Sequence, residues 1–228
     1  GSVLTLAALV FSHNLLGLVS AGLLFAYWVW QAAVGPASGR WARAGWGALA
    51  FALAAALIAF FWLPALLEWD AVRLDVIGPG HFDFREHFLS LGELLAPSRI
   101  LDWGATAPRF WHNLGLAQWL LALPSLVVVA LSVKHTLTRR HGDCSSPPLP
   151  LSPAPYLLMA LALIFLMLPA SVRVWECIPG MAYLQFPWRL LGPANLMLAV
   201  CAASGLTLLP GGCRRSSVVA LVLLTGLL

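Results

Sequence analysis

The chain has 228 residues, of which 61% are hydrophobic and 10% charged, with a formal net charge of +4 and a mean hydropathy of +0.86. Soluble domains carry roughly a quarter charged residues, so this composition excludes an ordinary water-soluble globule and points to a bilayer as solvent. The bases fall in short separate blocks and form no contiguous stripe, which argues against nucleic acid as a partner.

A spanning helix needs about 20 mostly apolar residues. In chain order, candidate runs cover Leu6 to Trp30, Ala44 to Leu67, Leu114 to Leu137, Tyr156 to Pro169 and Leu190 to Leu209, and another begins near Val218. The expected fold class is therefore all-α, a polytopic transmembrane helix bundle of about six spans with the last truncated at Leu228. Position 1 is not Met, and the apolar sequence runs to both ends. We expect residues 1–228 to be a single transmembrane domain, an internal fragment of a longer protein, with membrane lipid and the remainder of the parent chain as neighbours. No basic n-region precedes the first run, so a signal peptide is not expected.

Orientation follows from the bases, because Lys and Arg beside a span stay cytoplasmic. Arg40 and Arg43 follow the first span, Lys134, Arg139 and Arg140 the third, and Arg214 and Arg215 the fifth. These seven share their side with one acid, Asp143, whereas the other side carries six bases against eight acids. The expected location is the cell membrane, multi-pass, with the loop 68–113 extracytoplasmic and the linker 138–155 cytoplasmic. The segments 34–47 and 141–155 read as plain linkers, rich in Gly and Ala or in Pro and Ser. Tryptophans mark both interfaces: Trp28, Trp30, Trp41 and Trp46 inside, and Trp62, Trp69, Trp103, Trp111, Trp119, Trp175 and Trp188 outside. Cys144 and Cys213 are expected inside, Cys201 in a span and Cys177 outside, so no disulfide is expected.

The patterned sequence lies on the outer side. Within Asp83 to Leu95, Phe84, Phe88, Leu91 and Leu95 recur at helical spacing, while Asp83, Glu86, His87 and Ser90 share the opposite stripe. This predicts a short amphipathic helix along the membrane surface. Asp83 and Glu86 are the candidate general bases, and with His87 their spacing is compatible with a divalent cation, although no metal site or other cofactor is assigned. His13 and Asn14 are polar residues near the outer end of the first span, where they serve either as helix-packing glue or as the lining of a site. Arg189 offers a planar charged fork suited to phosphate or carboxylate, with Gln185 four residues earlier around the bend at Pro187; the alternative is snorkelling or pairing with an acid such as Glu176. No GxGxxG, P-loop, HExxH or GxSxG occurs.

SHNLLGLV at 12–19, FFWLPALLE at 60–68, HFDFREHFLSLGELLAP at 81–97, Trp103 with Gly104, GLAQW at 115–119 and LQFPWRLL at 184–191 appear in that order. Together they resemble the large bacterial polytopic proteins that carry the 6-pyruvoyl-tetrahydropterin synthase-related membrane domain, which look like members of the GT-C class of membrane glycosyltransferases. The resemblance implies transfer of a sugar from a polyprenyl-phosphate-sugar donor to an acceptor on the extracytoplasmic side. It implies a catalytic acid in the first extracytoplasmic loop, upstream of Gly1; the residues' own chemistry is compatible with it and gives His13, Asn14, His87, Gln185 and Arg189 as the substrate-binding candidates. The competing classes are a membrane transporter or lipid flippase, and a non-catalytic assembly subunit. Apart from His13 the runs hold almost no ionisable residue, which weighs against transport.

Overall fold

The computed structural model describes residues 2–34, 38–68, 80–97, 112–138 and 153–205. Expectations placed on residues 69–79, 98–111, 139–152 and 206–228 lie outside the described residues, the run near Val218 among them. The described residues are helical without a strand and fall into two compact units, Gly1–Phe88 with Leu166–Arg189 and Leu89–Phe165 with Leu190–Leu228.

The first unit opens with α1 (Ser2–Ser12), α2 (Asn14–Val34), α3 (Arg40–Leu57) and α4 (Ala59–Leu67). The single span expected over Leu6 to Trp30 is thus two helices broken at His13. The break has a local cause. His13 Nδ1 accepts from the Leu16 N–H at 3.4 Å and its carbonyl accepts from Gly17 N at 2.6 Å, so His13 caps the start of α2. At Gly17 an added Cβ would sit 2.5 Å from Val10 Cα, a fit that leaves α1 and α2 touching backbone to backbone. The N-terminal part of α1 then runs beside the C-terminal part of α2, where Ser2 and Thr5 share a cavity wall with Tyr27 and Gln31.

Helix α3 packs on both. Trp28 donates its indole N–H to the Arg43 carbonyl at 3.2 Å and lies flat against Gly47, while Phe25 meets Phe51 edge-on at 5.6 Å. Between α3 and α4 the chain bends by 70° at Ile58. There the Trp62 indole, donating to the Ala55 carbonyl at 2.8 Å, satisfies an acceptor that the broken ladder leaves open. Large apolar side chains such as Leu18, Phe60, Leu66 and Leu67 stay exposed, a surface that suits lipid better than water.

In the second unit α6 (Leu116–Thr138) packs along α9 (Leu191–Gly205), joined by α7 (Ala154–Met167), which continues into the first unit at Leu166. Its core combines large side chains such as Leu94, Leu114 and Leu190 with small ones: Ser125, Ala160, Ala194 and Cys201 are fully buried, and Ser125 meets Cys201 across the pair. Of all described helices, α2 over Leu15–Val34 is long and apolar enough to cross a membrane alone, and two bent helix pairs raise the count to three at most.

The amphipathic helix expected over Asp83 to Leu95 is also divided. A 3-10 turn covers Phe84–His87, and α5 covers Leu91–Leu95, with extended backbone at Phe88 and Ser90. Asp83 caps the first by accepting from Arg85 N at 3.0 Å; Ser90 and Glu93 form a reciprocal capping box on the second. Two side-chain caps offer the backbone a better local alternative than one continuous helix. The stripe of Asp83, Glu86, His87 and Ser90 therefore does not exist as one face.

The Trp28 contact leaves Gly47 little room to gain volume. Gly47→Ala is expected to lower the unfolding midpoint by an equivalent of about 1–3 kcal/mol, the usual cost of overpacking. Gly45→Ala, where nothing lies within 4 Å of the new Cβ, should be neutral or stabilising. Denaturant unfolding of the two variants in detergent checks this, and equal midpoints would contradict the packing.

Candidate functional site

The site is built from residues 80–88 and 166–189, both in the first unit. Pro169 opens a 3-10 turn, Pro169–Ser171, and the Ser171 hydroxyl donates to the carbonyls of Leu166 and Leu168 at 3.1 and 2.8 Å. That turn launches α8 (Val172–Cys177) and carries Trp175 inward. Only 1% exposed, Trp175 satisfies its indole N–H on the Leu166 carbonyl at 2.9 Å. It stacks on Phe84 at 5.2 Å and meets Phe88 edge-on at 5.9 Å. The reading of Trp175 as an interface anchor is thereby corrected: its one polar atom finds an internal partner, so the ring can be buried.

Charge follows the aromatic packing. Arg85 donates to Glu176 at 2.8 Å and to Asp83 at 3.3 Å, and Arg173 stands 3.9 Å from Glu176. Hydrogen bonding to Glu176, with help from Asp83 and against some desolvation, raises the Arg85 guanidinium above its ordinary range. Beside this group opens a cavity of about 360 Å³ walled by Phe84, Trp175 and Tyr183, with Arg85 and Glu176 contributing its charge and Gly180 its turn. Gly180, at φ 82°, takes a left-handed conformation that glycine adopts without strain.

The QFPWR segment is a second local device. Gln185 has φ 62° and ψ −46°, and Phe186 N donates across it to the Leu184 carbonyl at 2.6 Å, which is a γ-turn of the strained kind. Arg189 holds that turn, with Nη1 donating to the Leu184 carbonyl at 2.8 Å and to Gln185 Oε1 at 3.4 Å and its guanidinium 4.8 Å from the Phe186 ring centre. Burial pushes Arg189 down from its ordinary range. Its hydrogen bonds go to this turn, and the pairing of Glu176 expected for Arg189 is made by Arg85 and Arg173.

The structure brings some of the sequence candidates together. The His87 ring meets Phe186 at 4.7 Å, and Phe82 meets it at 6.2 Å, so His87, Gln185 and Arg189 gather around one phenyl ring. Asp83 is engaged as a cap and ion-pair partner, and Glu86 is exposed. His13 serves the α2 cap; Asn14 begins α2, and its side chain lies outside what is described. Among the described residues no group of three His, Cys, Asp or Glu could hold a metal ion, so Asp83, Glu86 and His87 do not form one there. Sequence reasoning missed Arg85, Glu176 and Tyr183 as site residues. The signal was present: an Arg and a Glu, each next to an aromatic residue, in the two segments.

Comparisons with family models, with curated proteins and with solved structures give no match to this chain.

The strain at Gln185 yields a direct test. Gln185→Gly should hold or raise stability by about 1 kcal/mol, since a non-glycine residue in this region costs roughly 1–3 kcal/mol. Gln185→Val should lower it by a similar amount, because a β-branched side chain fits positive φ poorly. Thermal unfolding distinguishes them, and equal stability of the two variants would contradict the turn.

Proposed function

We propose that the chain is part of an integral membrane glycosyltransferase-like protein that transfers sugar from a polyprenyl-phosphate carrier on the extracytoplasmic side. The observation that supports this most is the docking of HFDFREHF, one of the stretches that carry the family resemblance, on the 166–189 segment around one aromatic-walled cavity. Aromatic faces pack against the apolar face of a sugar ring, and a carboxylate with a guanidinium exchanges hydrogen bonds with its hydroxyls. In this reading Glu176 and Arg85 orient the sugar, Tyr183 covers it, and Arg189 with Gln185 positions the neighbouring turn. In this reading residues 1–228 hold about six spans, the last truncated, with loop 68–113 outside.

Lipid flipping is the second reading, and the observation favouring it is the 70° break between α3 and α4, since broken helices recur in transporters.

The decisive assay is transfer of labelled sugar from a panel of polyprenyl-phosphate donors by the full-length parent protein in membranes. Glu176→Gln and Arg189→Ala are expected to lose about 10²-fold in turnover, the scale of a misplaced substrate, while Arg140→Ala in the linker keeps wild-type rates. Absence of transfer by a well-folded wild type over the whole panel, with translocation of a labelled lipid instead, would establish the second reading.

A further inference from the structure

Helix α4 reads AFFWLPALL, and none of its nine residues is buried. Phe60, Phe61 and Leu66, exposed by 71%, 45% and 60%, stand roughly a third of a turn apart around its axis, so apolar side chains are uncovered on every side. A helix that is hydrophobic all round belongs in a core or in a bilayer. Its one polar side-chain group, the Trp62 indole N–H, is turned back to the Ala55 carbonyl beside the bend. That is what hydrocarbon demands of a backbone acceptor at a helix break.

The depth of α4 follows from α2, which is long and apolar enough to cross a membrane over Leu15–Val34. Helix α3 runs back along α2, with the Trp28 indole on the Arg43 carbonyl and Phe25 against Phe51. At the far end Phe60 stacks on Phe11 at 5.5 Å, just before α2 begins at Asn14. The start of α4 is therefore level with the start of α2, at one boundary of the bilayer. Continued straight, α3, Ile58 and α4 would rise about 42 Å, well beyond a hydrocarbon core of about 30 Å. Bent by 70°, α4 adds only about 5 Å to the roughly 27 Å of α3, and the pair matches the core. Glu68 follows α4 directly, so the helix cannot lie deep.

We infer that α4 lies in the plane of the leaflet that holds the start of α2, just beneath the headgroups, with lipid acyl chains around it. This rests on the membrane-spanning reading of α2 and is independent of any catalytic role. A second copy of the chain would cover one side of α4 and leave the others bare, whereas acyl chains reach all of them.

The test is nitroxide depth measurement by electron paramagnetic resonance on the full chain in phosphatidylcholine vesicles. The labels sit one at a time at exposed positions, Leu18→Cys and Leu24→Cys in α2, Leu53→Cys and Leu57→Cys in α3, and Leu63→Cys and Leu67→Cys in α4, with the native cysteines replaced. Relaxation by oxygen, which collects in hydrocarbon, is compared with relaxation by a nickel chelate, which stays in water. The label at 24 is expected about 9 Å deeper than the one at 18. Equal depths there, or a chain that does not float with the vesicles, would remove the membrane reading and this inference with it. Positions 53 and 57 should differ by about 6 Å and positions 63 and 67 by about 2 Å, with oxygen the stronger relaxant at all four. A difference of about 6 Å between 63 and 67, or relaxation of either chiefly by the nickel chelate, would overturn the inference while leaving the membrane reading standing. Shielding of both α4 labels from both reagents would show a protein surface such as a second copy on the helix, and would overturn it as well.

Discussion

Trp175 can lie among apolar side chains only if its indole N–H is satisfied, and the Leu166 carbonyl at 2.9 Å does this. That carbonyl is available because α7 ends at Met167 and the last carbonyls of a helix lack intrahelical partners. Ser171 uses the same acceptor, so the chain is drawn back on itself immediately after the helix. The face of the indole is then presented to Phe84 and its edge to Phe88. Magnitudes decide which contact holds the assembly. Each aromatic pair contributes about 0.5–1.5 kcal/mol beyond the area it buries, whereas the ion pair of Arg85 with Glu176 is exposed and weakened by solvent screening. The aromatic stack holds the two segments together, and the ion pair sets what the cavity can recognise.

A different constraint governs the helices. Lipid tails are as apolar as Leu, so association in a bilayer depends on close packing and on hydrogen bonds at helix ends. Gly17 against Val10 and Gly47 against Trp28 supply the close packing in the first unit. Buried Ser125, Ala160, Ala194 and Cys201 supply it in the second. Polar contacts also secure helix ends and breaks, with His13 capping α2, Trp28 reaching the Arg43 carbonyl and Trp62 reaching the Ala55 carbonyl. Each of these meets a backbone group at a helix end or break.

The all-helical class was legible because long apolar runs leave the chain few alternatives. The interruptions were not, because hydropathy averages over windows and a cap is a matter of one or two atoms. His13 looks like a polar residue buried in a span until its Nδ1 is seen on Leu16 N. The signal at Ser90 was in plain view as Ser-Leu-Gly-Glu, a capping box, yet the helical period of its apolar neighbours concealed it. At the site, the bend at Pro187 and the proximity of Gln185 to Arg189 followed from sequence. The positive φ of Gln185 did not, since Gln carries no propensity for it and only the closing of the γ-turn imposes it. Glu176 was visible as an acid, but its partner lies ninety-one residues away at Arg85, a distance local pattern does not reach.

The central claim is that residues 80–88 and 166–189 form one docked module, which the proposed function puts outside the cytoplasm. Its most direct test is cross-linking of the parent protein on intact cells, with Arg85→Cys and Glu176→Cys in a Cys177→Ser background, using a short membrane-impermeant bis-thiosulfonate, each thiolate displacing one sulfinate. The account predicts a cross-link between positions 85 and 176 without permeabilisation, detected as fragments that stay joined after cleavage in the intervening loop. A cross-link that forms only after permeabilisation would contradict the orientation, and none under either condition would contradict the docking itself.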